Sequence, residues 1–159
     1  MTTAMTVQVL TFIAALAAGV MAGVYFAFSG FIMRSLDQLE AAQAADAMNA
    51  INEVILRSAF MPLFFGSTLL FVALTLFPLL DLVGVGGAWL LLAGVLYVVG
   101  MFACTALFNV PFNNRLAAAD EETAADLWRV YYRDWSRWNH VRALCSLTSC
   151  GCCVMYLVS

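Results

Sequence analysis

Charged side chains fall in blocks along this chain, and the gaps between the blocks read as membrane spans. Residues 1–33 carry no charge, nor do 58–80, 82–114, or any position after Arg142. A transmembrane helix needs roughly 20 apolar residues, so the gaps predict four spans near 7–30, 59–80, 87–110 and 139–158. Pro62 falls in the first turn of the second span, Pro78 near its end and Pro111 just past the third, where a missing N–H donor is tolerated. Spans two and three are joined by the short "DLVGVGG", whereas residues 34–58 and 111–138 are long and polar and must emerge on the opposite face of the membrane.

Both polar segments carry helical patterns, over about 35–58 and 121–138. "SLDQ" at 35–38 reads as a capping box, with Leu36, Leu39, Met48, Ile51 and Ile55 returning on one broad face. The second segment opens "ADEETAAD", an acidic start suited to a helix N-terminus, and no breaker follows until Gly151. One long helix is therefore expected to begin outside the membrane and run into it. Along it Trp128, Tyr132, Trp135, Asn139 and Arg142 recur at spacings of four, three, four and three, which places them on one face. Only 17 residues follow Arg142, too few for a full crossing, so Asn139, His140 and Arg142 are expected at or just inside the hydrocarbon boundary, where polar groups need partners.

Composition supports the membrane reading. Of 159 residues 64% are hydrophobic and 11% charged, with a mean hydropathy of +0.92, whereas a soluble domain is usually about 45–50% apolar. The fold class expected is all-α integral membrane: a four-transmembrane-helix bundle with the fourth helix extended outside the membrane, forming one domain over residues 1–159. A cleaved signal peptide is not expected, because the first apolar run is too long and lacks a basic start. The net charge of −3 gives no sign of a nucleic-acid partner. All seven arginines lie on the long-loop side and none on the other, which predicts cytoplasmic long loops and both termini outside, in the plasma (inner) membrane if the source is a bacterium.

The polar residues nearest the stripe come from the ends of the other spans. Asn109, Asn113 and Asn114 end the third, Asn49 and Asn52 precede the second, and Ser29 and Arg34 close the first. Brought together they would form a polar pocket over an apolar floor of Met, Phe and Leu. Plainer readings stand beside this one. Trp and Tyr gather at membrane interfaces in any case, asparagines hydrogen-bond helices to one another, and Arg129, Arg133 and Arg137, four apart beside Asp126 and Asp134, suit a solvated face. His140 lies on that arginine face. Gly19 and Gly23 make a GxxxG that permits close packing or self-association, and Cys150 and Cys153 make a C-x-x-C.

One histidine cannot supply two axial haem ligands, and zinc-ligand spacings, a P-loop and a dinucleotide fingerprint are all missing, so neither a metal nor a cofactor is expected. The partners expected are the lipid bilayer and an apolar small molecule.

"NVPFNNRLA" before an acidic helix start, then W-x3-Y-x2-W-x2-WNHVR, with "MNAIN" ahead of the second span, resembles the anthrone oxygenase-like family of small four-span membrane proteins. The resemblance covers most of the chain and is most specific in Asn109–Asn113 and Trp135–Arg142. It implies oxidation of a polycyclic or phenolic, anthrone-like substrate without a cofactor. An anthrone loses an acidic C–H to give a phenolate-like anion that reacts with O2, so the protein need supply only a base and charge stabilisation. On that reading Arg142, Asn139 and Asn113 hold the oxyanion, and Trp128, Tyr132 and Trp135 stack on the rings with Asn109 and Asn52 nearby. His140 offers the imidazole as base, although from a neighbouring face. The alternatives are a non-catalytic bundle that binds a lipid, quinone or partner helix, and a thiol redox protein resembling the vitamin K epoxide reductase type. The latter lacks the loop cysteine pair that such enzymes use.

Overall fold

The computed structural model describes residues 3–159, which are helical with no strand among them. In chain order they form α1 (Thr3–Ala27), a π-helical turn (Phe28–Ile32), α2 (Met33–Leu36), α3 (Ala41–Leu56) and α4 (Phe60–Leu79). Then follow α5 (Gly87–Val95), two π-helical stretches (Leu96–Ala103 and Thr105–Asn109), α6 (Val110–Ala117) and α7 (Glu121–Val158). Four helices are long and apolar enough to cross a bilayer: Ala4–Leu36, Phe60–Leu79, Gly87–Ala117 and Thr123–Val158. The protein is an all-α integral membrane protein. At 1.5 Å per residue the 38 residues of α7 reach roughly 57 Å, against a hydrocarbon core of roughly 30 Å, so the fourth helix extends well outside the membrane.

Two local features depart from the sequence pattern. The third helix does not stop at Pro111 but continues through α6 to Ala117. Pro111 stands in the first turn of α6, straight after a π-helical stretch whose wider hydrogen-bonding pattern has already interrupted the regular ladder, so its missing donor costs little there. The capping box at 35–38 does not form. Ser35 sits inside α2 and its hydroxyl donates back to the Phe31 carbonyl at 2.9 Å, while α3 begins later, at Ala41, without a side-chain cap. The acidic start of α7 does form a cap: Asp120 accepts the Thr123 N–H at 2.9 Å. Hydrogen bonds from Thr123, side chain first and backbone second, hold the Asp120 carboxyl below the usual carboxylate range.

The four long helices close a ring. The first span lies along α7 and against α4, α4 against α5, and α5 with the following π-helical stretch returns to α7. Inside the ring Met21, Tyr25, Phe64, Phe71, Tyr97 and Met101 form one apolar core. α3 lies across the polar end and completes a second core with Met33, Met48, Leu116, Trp128 and Trp135. Small residues let the spans approach closely. A Cβ on Gly94 would run into the Thr75 hydroxyl, and one on Gly100 into the Cys145 side chain. The GxxxG pair is divided: Gly19 faces Cys150 of α7 within the bundle, whereas Gly23 opens outward with nothing near it.

Candidate functional site

The buried face of α7 runs through Trp128, Tyr131, Trp135, Asn139, Arg142, Ser146, Ser149 and Cys153, a period close to 3.6. The sequence stripe had placed Tyr132 on this face. Spacings of three and four from Trp128 are both allowed, and it is Tyr131 that turns toward α6, where Asn113 accepts its hydroxyl at 2.8 Å. Tyr132 is half-buried at the edge of this face, its ring 6.4 Å from that of Trp128, and borders the groove that also holds His140.

Arg142 occupies the centre. It is 5% exposed. One terminal nitrogen donates to Asn139 Oδ1 at 2.7 Å and the other to Thr105 Oγ1 at 3.4 Å. Its guanidinium carbon stands 4.4 Å from the centre of the Tyr25 ring and 5.0 Å from that of Trp135, within cation–π range of both. Its Nε has no partner, and no carboxylate pairs with it among the described residues. A charge removed from water at this depth costs several kcal/mol unless it is compensated, and two neutral oxygens and two ring faces compensate it only in part.

Asparagines build the frame. Asn139, fully buried, donates to the Tyr25 carbonyl and to Ser29 Oγ, both at 2.8 Å, and so ties α7 to the first span while its oxygen holds Arg142. Asn113 accepts from both Tyr131 and Trp135 Nε1 at 2.8 Å and donates to Asn52 Oδ1 at 3.0 Å, which joins α6, α7 and α3. Asn109 donates to the Trp135 carbonyl at 3.2 Å.

These groups bound a cavity of about 300 Å³. Arg142, Trp135, Asn113, Asn52, Tyr25 and Thr105 supply its polar and aromatic wall. Phe28, Phe60, Phe64, Phe102, Met48 and Ile51 supply the rest, so the lining is mostly apolar. Leu56, Phe65 and Val110, also on its border, are exposed on the outer surface of the bundle, and the cavity therefore opens to that surface between α3, α4 and α6, near the polar end. Both π-helical regions contribute to it, through Phe28 in the first and through Phe102, Thr105 and Ala106 in the third span. Such widened turns recur at functional sites because they re-aim side chains within a helix.

Of the nine sequence candidates, Arg142, Trp135, Asn113 and Asn52 line this cavity. Asn139 stands directly behind Arg142, and Asn109 braces the backbone of Trp135 from outside. Trp128 lies farther out, where Nε1 donates to Asp37 at 2.9 Å and fastens α7 to the α2–α3 connection. His140 is exposed; its Nδ1 lies 2.8 Å from Ser29 Oγ, on the far side of Asn139 from the cavity. Tyr25, Thr105 and Tyr131 were not among the candidates. Thr105 and Tyr131 each lie four residues before a candidate, Asn109 and Trp135, and Tyr25 lies four before Ser29, the polar residue that closes the first span; that four-residue echo is the signal that would have found them.

Among the described residues no three or more His, Cys, Asp or Glu side chains gather at metal-binding range. All five cysteines are free, with Cys150, Cys152 and Cys153 two to three turns beyond Arg142 along α7.

The family model for anthrone oxygenase matches residues 54–152, more than half of the chain. The chain belongs to the anthrone oxygenase family. Within the anthrone oxygenase match lie Thr105, Asn113, Trp135, Asn139 and Arg142, whereas Tyr25, Ser29 and Asn52 stand ahead of it. Neither a curated protein nor a solved structure matches the chain.

Proposed function

We propose that the protein is an oxygenase that takes a flat phenolic, anthrone-like substrate from the bilayer into the Arg142 cavity and oxidises it with O2. The observation that carries this reading is the buried guanidinium without a carboxylate, on the wall of an otherwise apolar and aromatic cavity. An anion spread over fused rings complements both features. The cavity volume, about 300 Å³, lies at the lower end of the roughly 300–1,000 Å³ typical of small-molecule sites, which suits a compact ring system.

The chemistry follows from charge. In an anthrone the CH2 between two aryl rings is conjugated to a carbonyl, so loss of one proton leaves an anion whose charge resides largely on that oxygen. Arg142, aligned by Asn139 and Thr105, favours this anion over the neutral form in a low-dielectric setting, where a fixed donor acts most strongly. No carboxylate or imidazole lines the cavity, so the proton passes to water at the cavity mouth and the lowered acidity barrier replaces a dedicated base. The carbanion transfers one electron to O2, and recombination forms the C–O bond of a peroxide, which is then protonated. Loss of the second C–H proton with cleavage of the O–O bond leaves C=O and releases water. One O2 is consumed, one oxygen atom enters the product and the other leaves as water. His140, outside the cavity, positions Asn139 through Ser29 on this account and does not touch substrate.

Oxygen consumption by the purified protein with an anthrone, against the uncatalysed rate, tests the proposal. Tight retention of the anthrone without added oxygen uptake would assign the cavity to a binding protein instead. We further infer that the long polar segments face the cytoplasm, a reading supported by the arginines gathered at that end.

A further inference from the structure

A second groove, of about 410 Å³, lies on the outer side of the first span and α7. Ser29 and Arg34 line it from the first span, and Arg133, Ser136, Arg137 and His140 from α7. Three guanidinium groups converge there, and Asp134 is the one carboxylate that engages them, at 2.7 Å from Arg133 and 3.3 Å from Arg137. Arg34 makes no ion pair among the described residues. The hydroxyl of Ser136 on the groove wall also lacks a partner. Arg133 already spends its fork on both Asp134 oxygens, at 2.7 and 2.8 Å, so the excess of positive charge in the groove rests on Arg137 and above all on Arg34, whose planar guanidinium, of the kind that matches phosphate oxygens, is engaged by no carboxylate among the described residues.

Its surroundings are apolar on the membrane side. The Phe26 ring lies beside Gly30 at the groove edge and is largely exposed, as is Phe31. On α7 the face of Arg133, Arg137 and His140 continues at helical spacing into Leu144 and Leu147, both exposed. Cationic donors above an exposed apolar track are the arrangement that a headgroup phosphate with its acyl chain requires.

We propose that this groove is a binding site for a phosphate group, presented by the headgroup of an anionic membrane lipid. The site is separate from the Arg142 cavity, and its test reads binding and not turnover. Thermal unfolding of the full chain in detergent would be followed with dioleoyl phosphatidylglycerol, with dioleoylglycerol, which has the same chains and no phosphate, and with inorganic phosphate. Phosphatidylglycerol is expected to raise the Tm of the unaltered chain by several degrees, and dioleoylglycerol is not. The rise should disappear in the Arg34→Gln/Arg137→Gln double variant and persist in Arg129→Gln, which removes the same kind of charge outside the groove. If the double variant fails to fold, Arg34→Gln alone should at least halve the rise. An equal rise with inorganic phosphate would keep the phosphate site and identify its source as free phosphate. A rise with dioleoylglycerol matching that with phosphatidylglycerol, or a rise undiminished in the arginine variants, would overturn the proposal.

Discussion

At the level of single residues, Arg142 and Arg129 show how position divides one side-chain type into two roles. Arg142 is enclosed by Tyr25, Trp135, Asn139 and Thr105, whereas Arg129 is exposed. Replacing Arg142 with Leu removes the cation from the cavity without leaving a charge behind, so the bundle should still fold. Loss of a donor aimed at a developing oxyanion typically costs about 10²–10³ in rate, and anthrone-dependent oxygen uptake should fall by about that factor, with Arg129→Gln unchanged. Equal behaviour of the two variants would reduce the aromatic stripe to an interfacial belt. His140→Ala makes a second test. A general base typically contributes about 10²–10⁴, whereas a residue acting only through Ser29 should cost less than about tenfold, so a loss of a thousandfold would restore His140 as the base. Arg142 and Asn139 were legible because the count of residues left after them is too short for a crossing. The choice of Tyr131 over Tyr132 was not legible, since helical spacing admits both and only the position of Asn113 decides between them.

At the level of elements, the bundle depends on where spans approach without side chains between them. Gly94 faces Thr75, whose hydroxyl is already held by the Phe71 carbonyl at 2.7 Å, and Gly100 faces Cys145. An added methyl at Gly94 cannot be absorbed by a flexible tip, so α4 and α5 must separate. Gly94→Ala should lower stability by about 1–3 kcal/mol, the usual range for overpacking, seen as a lower thermal midpoint in detergent. Gly151→Ala, which meets nothing within 4 Å, should leave it unchanged or slightly raised. A stability loss at Gly151 equal to that at Gly94 would show that helix pairing is not set by these close approaches. Charge gaps made the number of spans readable, because the cost of placing charge in hydrocarbon is severe and uniform. The π-helical turns were not readable: "FSGFI" and "LYVVGMFA" each carry a single glycine, which in an apolar helix does not specify a widened turn, and both stretches pack against α7.

For the whole molecule, the two ends of the bundle differ in kind, and that difference governs both topology and access to the cavity. One end carries α3, the outer part of α7, all seven arginines and the polar rim of the cavity; the other carries the short α4–α5 connection and Asp81. Arginine bias in loops sets orientation during insertion, whereas acids contribute little. Yet Arg142 is enclosed by the cavity wall and Arg34, Arg133 and Arg137 line the outer groove, so on the proposals above these four serve binding as well as topology. The three that remain, Arg57, Arg115 and Arg129, still lie at the same end, against none at the other. The arginine bias on which the proposed orientation rests therefore persists when these four are set aside. A reporter fused after Ser159 should accordingly give a non-cytoplasmic signal, and one inserted at Gly84 in the short connection should give the same signal, since both lie at the arginine-free end. A cytoplasmic signal from both would mean that the arginines are gathered for binding alone and that the cavity mouth faces the opposite compartment. Discordant signals would break the four-span arrangement itself, because an even number of crossings must return the chain to the side from which it started.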